Sequence, residues 1–502
     1  MAKVSLTKNI GRIKIKSSYS PTGNLEQDKQ LVIKMIEETI GTHNKNKDDI
    51  EIIKKFHDNH NTIEKTKEMR SDINNIVEVP EVYRITRDLN GHICGSGVVF
   101  SDMSGKKSDE IAKLNSYLKN SFFSTVYLKA NKNASLYGVG YYYIEPNNGD
   151  EINSPFLLES ENLDPSKTYC VYNQNVIPKK IWAVIVDEYI DEQKLKQQRY
   201  IVFSKNHQFI IEQEGNSELQ VAETYQLAFN SIPIVEIQRN EDRIGDSELA
   251  LSLIQAKNRL FSNRIDDVEQ VVDYVYLLYN LRITKEDATE KERKESLKTV
   301  LSSRVIELET INPQIQPKVD ILKNPLNQSE IQTLASYIDS EINIMVALPD
   351  RNSDSSGNSD TGVANDYKLG FRSLDTYSDN VSAFIVKSLN ELLNIMFKIT
   401  HNIPKYSKKL KKLSVEDIEI KPQRNKIFSI TDAANAYSTL RSAGLNDEDS
   451  LKVTNISQDV AETANKNKKE AEDLRKINLE NQKELNKINN SNNDGNSNSN
   501  EV

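Results

Sequence analysis

The chain has 502 residues, 28% charged and 37% hydrophobic, with a formal net charge of -9 and a mean hydropathy of -0.61. That length exceeds one ordinary core and predicts two or more domains, and the absence of a run of about 18 apolar residues predicts no membrane span. The acidic balance argues against a broad basic face that grips nucleic acid, though not against a surface past which DNA slides.

Residues 1–26 read as a flexible basic arm: Lys3, Lys8, Arg12, Lys14 and Lys16 precede the first acid, Glu26, and no apolar stretch suggests a secretory signal. Cys94 and Cys170 are the only cysteines, which suits a reducing compartment and builds no disulfide framework. Helical spacing marks residues 31–40 and 50–57, and one helix fits residues 109–130. From residue 137 to 225 the character changes. The segments "GVGYYYIEP", "KTYCVYN", "KKIWAVIVDEY", "RYIVFS" and "HQFIIEQ" are β-branched and aromatic, and "PNNGDE" and "SKNH" supply turns. This predicts an antiparallel β-rich part of an α+β fold.

After residue 245 the pattern turns helical. Ile254, Phe261, Ile265, Val268, Val272, Val275 and Tyr279 form one apolar stripe, with Asp246 as the expected N-cap and Glu248 favouring the positive helix end. A charged segment "KEDATEKERKESLK" and a strand-like "SRVIELE" follow, then a return punctuated by Pro313, Pro317 and Pro325. A second helix is expected from Ser329, with Gln332 completing a capping box and Ile331, Leu334, Ile338, Ile342 and Met345 on one face.

The next stretch, "LPDRNSDSSGNSDTG", is polar and rich in Ser, Asn and Gly, yet it separates two helices. Loops of this length inside compact proteins are uncommon and are usually functional or disordered. Residues 363–400 then carry Tyr367, Phe371, Leu374, Tyr377, Val381, Phe384, Leu389, Leu392, Met396 and Ile399 at helical spacing. Such a helix would run on the order of 55 Å, with Gly370 as a kink point or hinge. A helical patch at 432–443 and a charged, then Asn/Ser-rich, disordered tail complete the reading.

Several fragments imitate active sites and fail on inspection. Gly91, Gly95 and Gly97 lack the Lys-Ser/Thr of a phosphate loop, and in "SGKKS" Phe100 stands where the first glycine belongs. His57 and His60 lie one turn apart with no further His or Cys to complete a metal set. Asn352, Asp354, Ser356 and Gly357 resemble half a calcium loop, but Val363 occupies the position that needs a bidentate carboxylate. No catalytic residue, cofactor or metal is expected.

Two motifs carry a resemblance: "FNSIPIVEIQRNEDRIGDSELALSLIQAKNRLFSNRIDDVEQVVDYVYLLYN", residues 229–280, and "VALPDRNSDSSGNSDTGVANDYKLGFRSLD", residues 346–375. Together they resemble the portal, or head–tail connector, proteins of tailed bacteriophages, in the family typical of long-tailed phages of Gram-positive hosts. "ASLYGVGYYYIEP" and "LDPSKTYCVYN" look like that family's wing strands. The resemblance implies an α+β portal fold: wing 27–245, stem helices 246–280 and 329–347, and a small α/β clip 281–328. It further implies a channel loop 348–362, a long channel-to-wing helix 363–401, a wing return 402–429, a helical crown 430–473 and a disordered tail 474–502.

It also implies function. Subunits would form a ring, a dodecamer, at one capsid vertex of the virion, assembled in the host cytoplasm, with double-stranded DNA passing through without sequence specificity. Terminase large subunit, major capsid protein, scaffold and a head-completion adaptor would be its partners, and the membrane would not. The loop residues Asp350, Arg351, Asn352, Ser353, Asp354, Ser355, Ser356, Gly357, Asn358, Ser359 and Asp360 would face DNA. Lys368 and Arg372 would form a basic band near the channel or an inter-subunit ion-pair face. Lys285, Glu286, Glu290, Lys291, Glu292, Arg293 and Lys294 would form the clip's docking surface, or simply a solvated helix. Two rivals remain at this stage: a capsid or tail protein without a channel, and a metal-dependent nucleic-acid-processing enzyme.

Overall fold

A computed structural model describes residues 6–60, 62–65, 73–103, 107–149, 152–190, 196–214, 218–272, 275–282, 284, 288–303, 309–322, 328–350, 370–408, 410, 413–424, 430–454, 456 and 460–494. The fold mixes helix and sheet, 53% and 18% respectively, in the α+β manner expected.

Helix α1 (Leu25–His57) is continuous, with the Asn24 side chain accepting from the backbone N–H groups of Glu26 and Gln27 at its start. The sequence predicted two pieces because residues 41–49 are polar. Three of them, His43, Asn46 and Asp49, are buried, and the segment expected as a loose basic arm covers Asn46 and Asp49. Lys8 N donates to Asp49 Oδ1 at 2.7 Å, and Ile13 N donates to Asn46 Oδ1 at 2.9 Å. Arg12 pairs with buried Glu248, and Trp182 Nε1 donates to the Tyr19 carbonyl at 2.8 Å. Residues 12–17 also run beside the strand that holds Tyr172, since Ser17 N donates to Tyr172 O and Tyr172 N donates to Ile15 O. Residues 6–24 are therefore an integral strap.

Helix α2 (Glu81–Cys94) and strand β1 (Val98–Asp102) follow. The single helix expected over 109–130 is two, α3 (Ser108–Asn120) and α4 (Phe123–Tyr137), because Phe122 takes a left-handed φ of 55° between them. Strands β2 (Val139–Pro146), β3 (Phe156–Glu159) and β9 (Ile234–Gln238) form an antiparallel sheet in the order β3-β2-β9. Strands β4 (Thr168–Tyr172), β5 (Lys180–Ile190), β6 (Lys196–Phe203), β7 (His207–Glu214) and β8 (Gln220–Gln226) form a five-stranded meander. In β5, Trp182, Val184 and Val186 pack under α1 while Ala183 faces the β2–β9 sheet. Coverage on both faces explains why β5 reads as an almost unbroken apolar run.

Helix α5 (Leu251–Val272) is shorter than the stripe predicted. Val275 and Tyr279 belong to β10 (Val275–Tyr279), which pairs with β13 (Lys318–Leu322). Between them lie β11 (Leu281–Arg282), paired with β12 (Glu309–Thr310), and helix α6 (Glu290–Ser303). Alternating β-branched and aromatic residues mimic helical spacing over so short a run. Helix α7 (Gln328–Met345) starts one residue before the expected cap. Helix α8 (Phe371–Asn402) packs across α3, α4 and the β2–β9 sheet in the largest core cluster. The chain then passes through α9 (Pro404–Ser407) to β14 (Ile418–Pro422), which pairs antiparallel with β1 and so returns residues near 420 to the N-terminal half.

Three helices close the chain: α10 (Ile430–Ser442), α11 (Asp447–Thr454) and α12 (Val460–Asp494). The tail expected to be disordered is helical to residue 494. Its Ala, Glu, Lys and Leu content sustains a helix with little buried surface.

Candidate functional site: the loop junction and the outward faces of α5 and α7

The polar loop begins where α7 ends. Ala347 takes a φ of 57°, Leu348 N donates to Asn343 O at 2.9 Å, and Ser340 Oγ donates to Asp350 Oδ2 at 2.8 Å. Gly370, on the other side, has a φ of 82°, and a Cβ added there would sit 3.9 Å from Pro349 Cα. The two ends of the loop therefore touch. Gly370 is not a kink within the long helix. It is the left-handed residue that starts it, a conformation glycine adopts without the Cβ penalty. Of the predicted loop residues Asp350 is described; residues 351–360, Lys368, Lys285 and Glu286 lie outside the described residues.

The loop root rests on a core to which six helices contribute, Leu136 and Tyr137 of α4 among them. Ile53 and Phe56 of α1, Val82, Ile85 and Leu89 of α2, Ile254 of α5, Ile338 and Ile342 of α7, and Leu374 of α8 belong to one buried cluster, with Leu348 packed against it. Beside it is a cleft of about 310 Å³ lined by Glu81, Arg84, Lys257, Asp339, Asn343 and Pro349, among others. Lys257 Nζ reaches Glu81 at 3.1 Å and Asp339 at 2.5 Å, and Arg84 Nη2 donates to Asn343 Oδ1 at 3.0 Å. Burial alone would raise the Glu81 carboxyl, but Arg84 and then Lys257 hold it below the usual carboxylate value.

One helical turn into α8 a second polar junction appears. Asp246, expected as an N-cap, instead accepts from Arg239 Nε at 2.7 Å and Nη2 at 2.6 Å, from Ser135 Oγ, and from the Tyr377 hydroxyl. Arg239 and Asp246 are both fully buried, and the guanidinium lies 5.7 Å from the Tyr377 ring centroid. Burial, then the Asp246 charge, raises the Tyr377 phenol well above its ordinary value. Through this carboxylate α4, the segment before α5 and the loop end of α8 are tied into one bonded unit. Gly138, which ends α4 at a φ of 82°, makes it possible: a Cβ there would fall 1.9 Å from Arg243 O.

The outer half of α5 inverts the usual arrangement. Its buried positions are polar, spaced four apart, and bond to residues 62–79. Asn258 Oδ1 accepts from Val79 N at 3.0 Å, Ser262 Oγ from Val77 N at 2.9 Å, and Asp266 Oδ1 from Asn75 N at 2.8 Å, while Lys65 pairs with Asp266. Its apolar residues Ile265 and Val268 point outward. On α7 the same holds for Leu334, Tyr337, Ile344 and Met345, with Tyr337 62% and Ile344 65% exposed. Ile338 and Ile342, from the same predicted stripe, are buried. The sequence located the apolar stripe; the Asn258–Ser262–Asp266 ladder, four residues apart on the opposite face, was the missed signal.

The remaining predicted residues are dispersed. Arg372 is exposed in the first turn of α8, and its carbonyl accepts from Thr376 Oγ1. Glu290, Lys291, Glu292, Arg293 and Lys294 form the exposed start of α6, where Lys294 reaches Glu290 at 3.3 Å and Glu292 accepts from Thr289 N at 2.8 Å. His57 Nδ1 bonds Asp58 at 2.9 Å. Cys94 and Cys170 are buried thiols, and burial raises both above the usual thiol value. Among the described residues no helix is long and apolar enough to cross a membrane.

Residues 33–484 match the sequence model of one family, described as "Phage portal protein, SPP1 Gp6-like". Among solved structures, the chain is similar to one from the neck of an empty GTA particle computed with C6 symmetry. Identity is 11%, the match covers 75% of this chain and 90% of that chain, and the TM-score is 0.38. A chain from the neck of a native GTA particle computed with C12 symmetry matches at 10% identity, covering 75% of this chain and 89% of that chain, with a TM-score of 0.39. No curated protein matches the sequence.

Proposed function

The chain belongs to the SPP1 Gp6-like phage portal protein family, and from that premise we propose that it forms the ring-shaped channel at one capsid vertex of a tailed phage with a Gram-positive host. The family is structural, and the reading assigns no catalysis to this chain. Twelve subunits would surround double-stranded DNA. A separate motor, the terminase large subunit, would dock on the clip, formed by α6 with the β10–β13 and β11–β12 ribbons. The wing would meet capsid protein and scaffold, the head-completion adaptor would replace the motor, and α10 to α12 would form the crown.

The observation that carries the ring is the outward apolar surface of α5 and α7. In a lone subunit Ile265, Val268, Tyr337 and Ile344 would sit in water while Asn258, Ser262 and Asp266 occupy the interior. A second copy against these helices removes that contradiction, as expected of a cyclic oligomer. The loop gains meaning in the same setting. Between residues 350 and 366, four acids (Asp350, Asp354, Asp360 and Asp366) face one base, Arg351, so each subunit adds three net negative charges. A dozen copies make an acidic collar that centres DNA by repulsion and offers few sticking phosphate contacts.

Because the loop ends meet at Pro349 and Gly370, a push on the loop would reach α8, Tyr377 and the Asp246 junction, a route by which head filling is signalled. Packaging assays with a loop-shortened variant and with Gly370→Ala test this. The reading predicts slower packaging or an altered DNA length; normal rate and normal length in both variants would contradict it.

A further inference from the structure

Away from the loop, a cavity of about 400 Å³ opens between the outer face of α8 and the edges of both wing sheets. Lysines reach it from four separate segments: Lys14 of the N-terminal strap, Lys179 and Lys180 at the start of β5, Lys205 of the β6–β7 turn, and Lys387 and Lys398 of α8. Two carboxylates, Glu236 and Glu391, share the wall, and both are engaged. Arg243 Nη2 holds Glu236 at 2.7 Å, and Lys180 Nζ holds Glu391 at 2.5 Å. Lys398 Nζ donates to Ser231 Oγ at 2.7 Å.

For Lys14, Lys179, Lys205 and Lys387, no carboxylate lies within 4 Å among the described residues. Lys14 is turned inward, its Nζ 4.2 Å from the Tyr172 ring centroid. Burial, and then the Arg243 charge, pushes its ammonium below the usual lysine value; the Glu236 charge offsets part of this, and Lys387 adds to it. Tyr172, Ile232, Phe384 and Ile395 give the cavity an apolar floor. Lys179, Lys205 and Lys387 stand exposed around the cavity and Lys14 is half-buried in it, so positive charge gathers here in a chain of net charge -9.

We propose that this cavity binds a compact polyanion of the phosphate class, one per subunit. Its volume falls in the range of small-molecule sites and is too small to admit a DNA duplex. Ammonium groups act on phosphate as mobile point charges, and several arriving from different directions suit an anion with more than one charged group. The bound anion would tie the strap and the β6–β7 turn to β5 and α8, which the Lys180–Glu391 pair already joins. This inference stands independently of the channel reading.

Isothermal titration of the full-length protein with inorganic tripolyphosphate tests it. The expected result is saturable binding at one site per chain. Lys14→Gln and Lys387→Gln should each weaken it about tenfold, the loss of one charge-assisted bond. Lys132→Gln, at an exposed position on α4 outside the cavity, should leave it unchanged. Unfolding midpoints of the variants, measured beside wild type, separate lost contact from lost fold. Three results would overturn the proposal: no saturable binding, equal weakening by Lys132→Gln, or displacement of tripolyphosphate by hexaglutamate peptide or duplex DNA at concentrations below its own.

Discussion

The five-stranded sheet under α1 and the C-terminal half of α5, the proposed wing and stem, are built on opposite plans. Under α1, the five-stranded sheet buries Trp182, Phe209 and Val184 in an apolar core. The outer half of α5 buries Asn258, Ser262 and Asp266 and turns Ile265 and Val268 outward. A region of the first kind is complete within one chain. A region of the second kind fits the proposed ring, in which a second copy would cover the apolar surface left exposed among the described residues. Stability of the monomer and assembly of the ring should therefore be separable by mutation.

The largest effects belong to residues buried within the subunit. Trp182→Ala should cost about 3–5 kcal/mol in the unfolding free energy of the isolated subunit, measured by urea denaturation. Asp246→Ala leaves Arg239 buried without its counter-charge and should cost about as much, 3–5 kcal/mol. An effect below ~1 kcal/mol in either would show that the subunit's own buried contacts do not sustain its fold.

Next comes a pH effect. His43 is buried, stacked on Tyr169 at 4.4 Å, and its Nε2 lies 3.0 Å from the Ser166 carbonyl. Burial pulls its pKa down from 6.5 to about 4. The unfolded chain takes up the proton first as the pH falls, so this group's stability is fully present above about 6.5 and lost progressively towards pH 4. The loss should approach about 3 kcal/mol across that window. Urea midpoints between pH 7 and 4 in wild type and His43→Gln check it; the variant should show the flatter profile, and parallel profiles would refute the assignment.

The smallest effect on the subunit should come from the stem. Tyr337→Ser and Ile344→Ser should change monomer stability by no more than ~0.5 kcal/mol, as exposed positions do. They should nevertheless lower the fraction of assembled ring seen by sedimentation. A stem variant that unfolds the monomer, or one that leaves assembly untouched, would break the comparison.

Much of this was legible in the sequence. The wing strands were readable because β-branched and aromatic residues cluster between turn residues, and α7 and α8 because their stripes persist over several turns. What escaped has common physical causes. Polar residues that are buried in pairs look like surface, which split α1 in two and made the strap look free, although Asp49, Asn46 and Glu248 are its partners. Asp246 looked like a helix cap because a cap and a buried acceptor share the same residue type. The ends of α5 and of the 109–130 segment were set by backbone geometry, at β10 and at Phe122, where no glycine or proline marks the change. Gly370 was visible, but whether it bends a helix or begins one depends on Pro349 beside it, which only the folded chain reveals.

The measurement that tests the central claim most directly is negative-stain electron microscopy of the purified protein together with its mass in solution. Rings of about a dozen subunits, with an open bore and with α5 and α7 at the subunit contacts, are the predicted result. Compact closed oligomers without a bore, or contacts made elsewhere while Ile265, Tyr337 and Ile344 stay exposed, would contradict it.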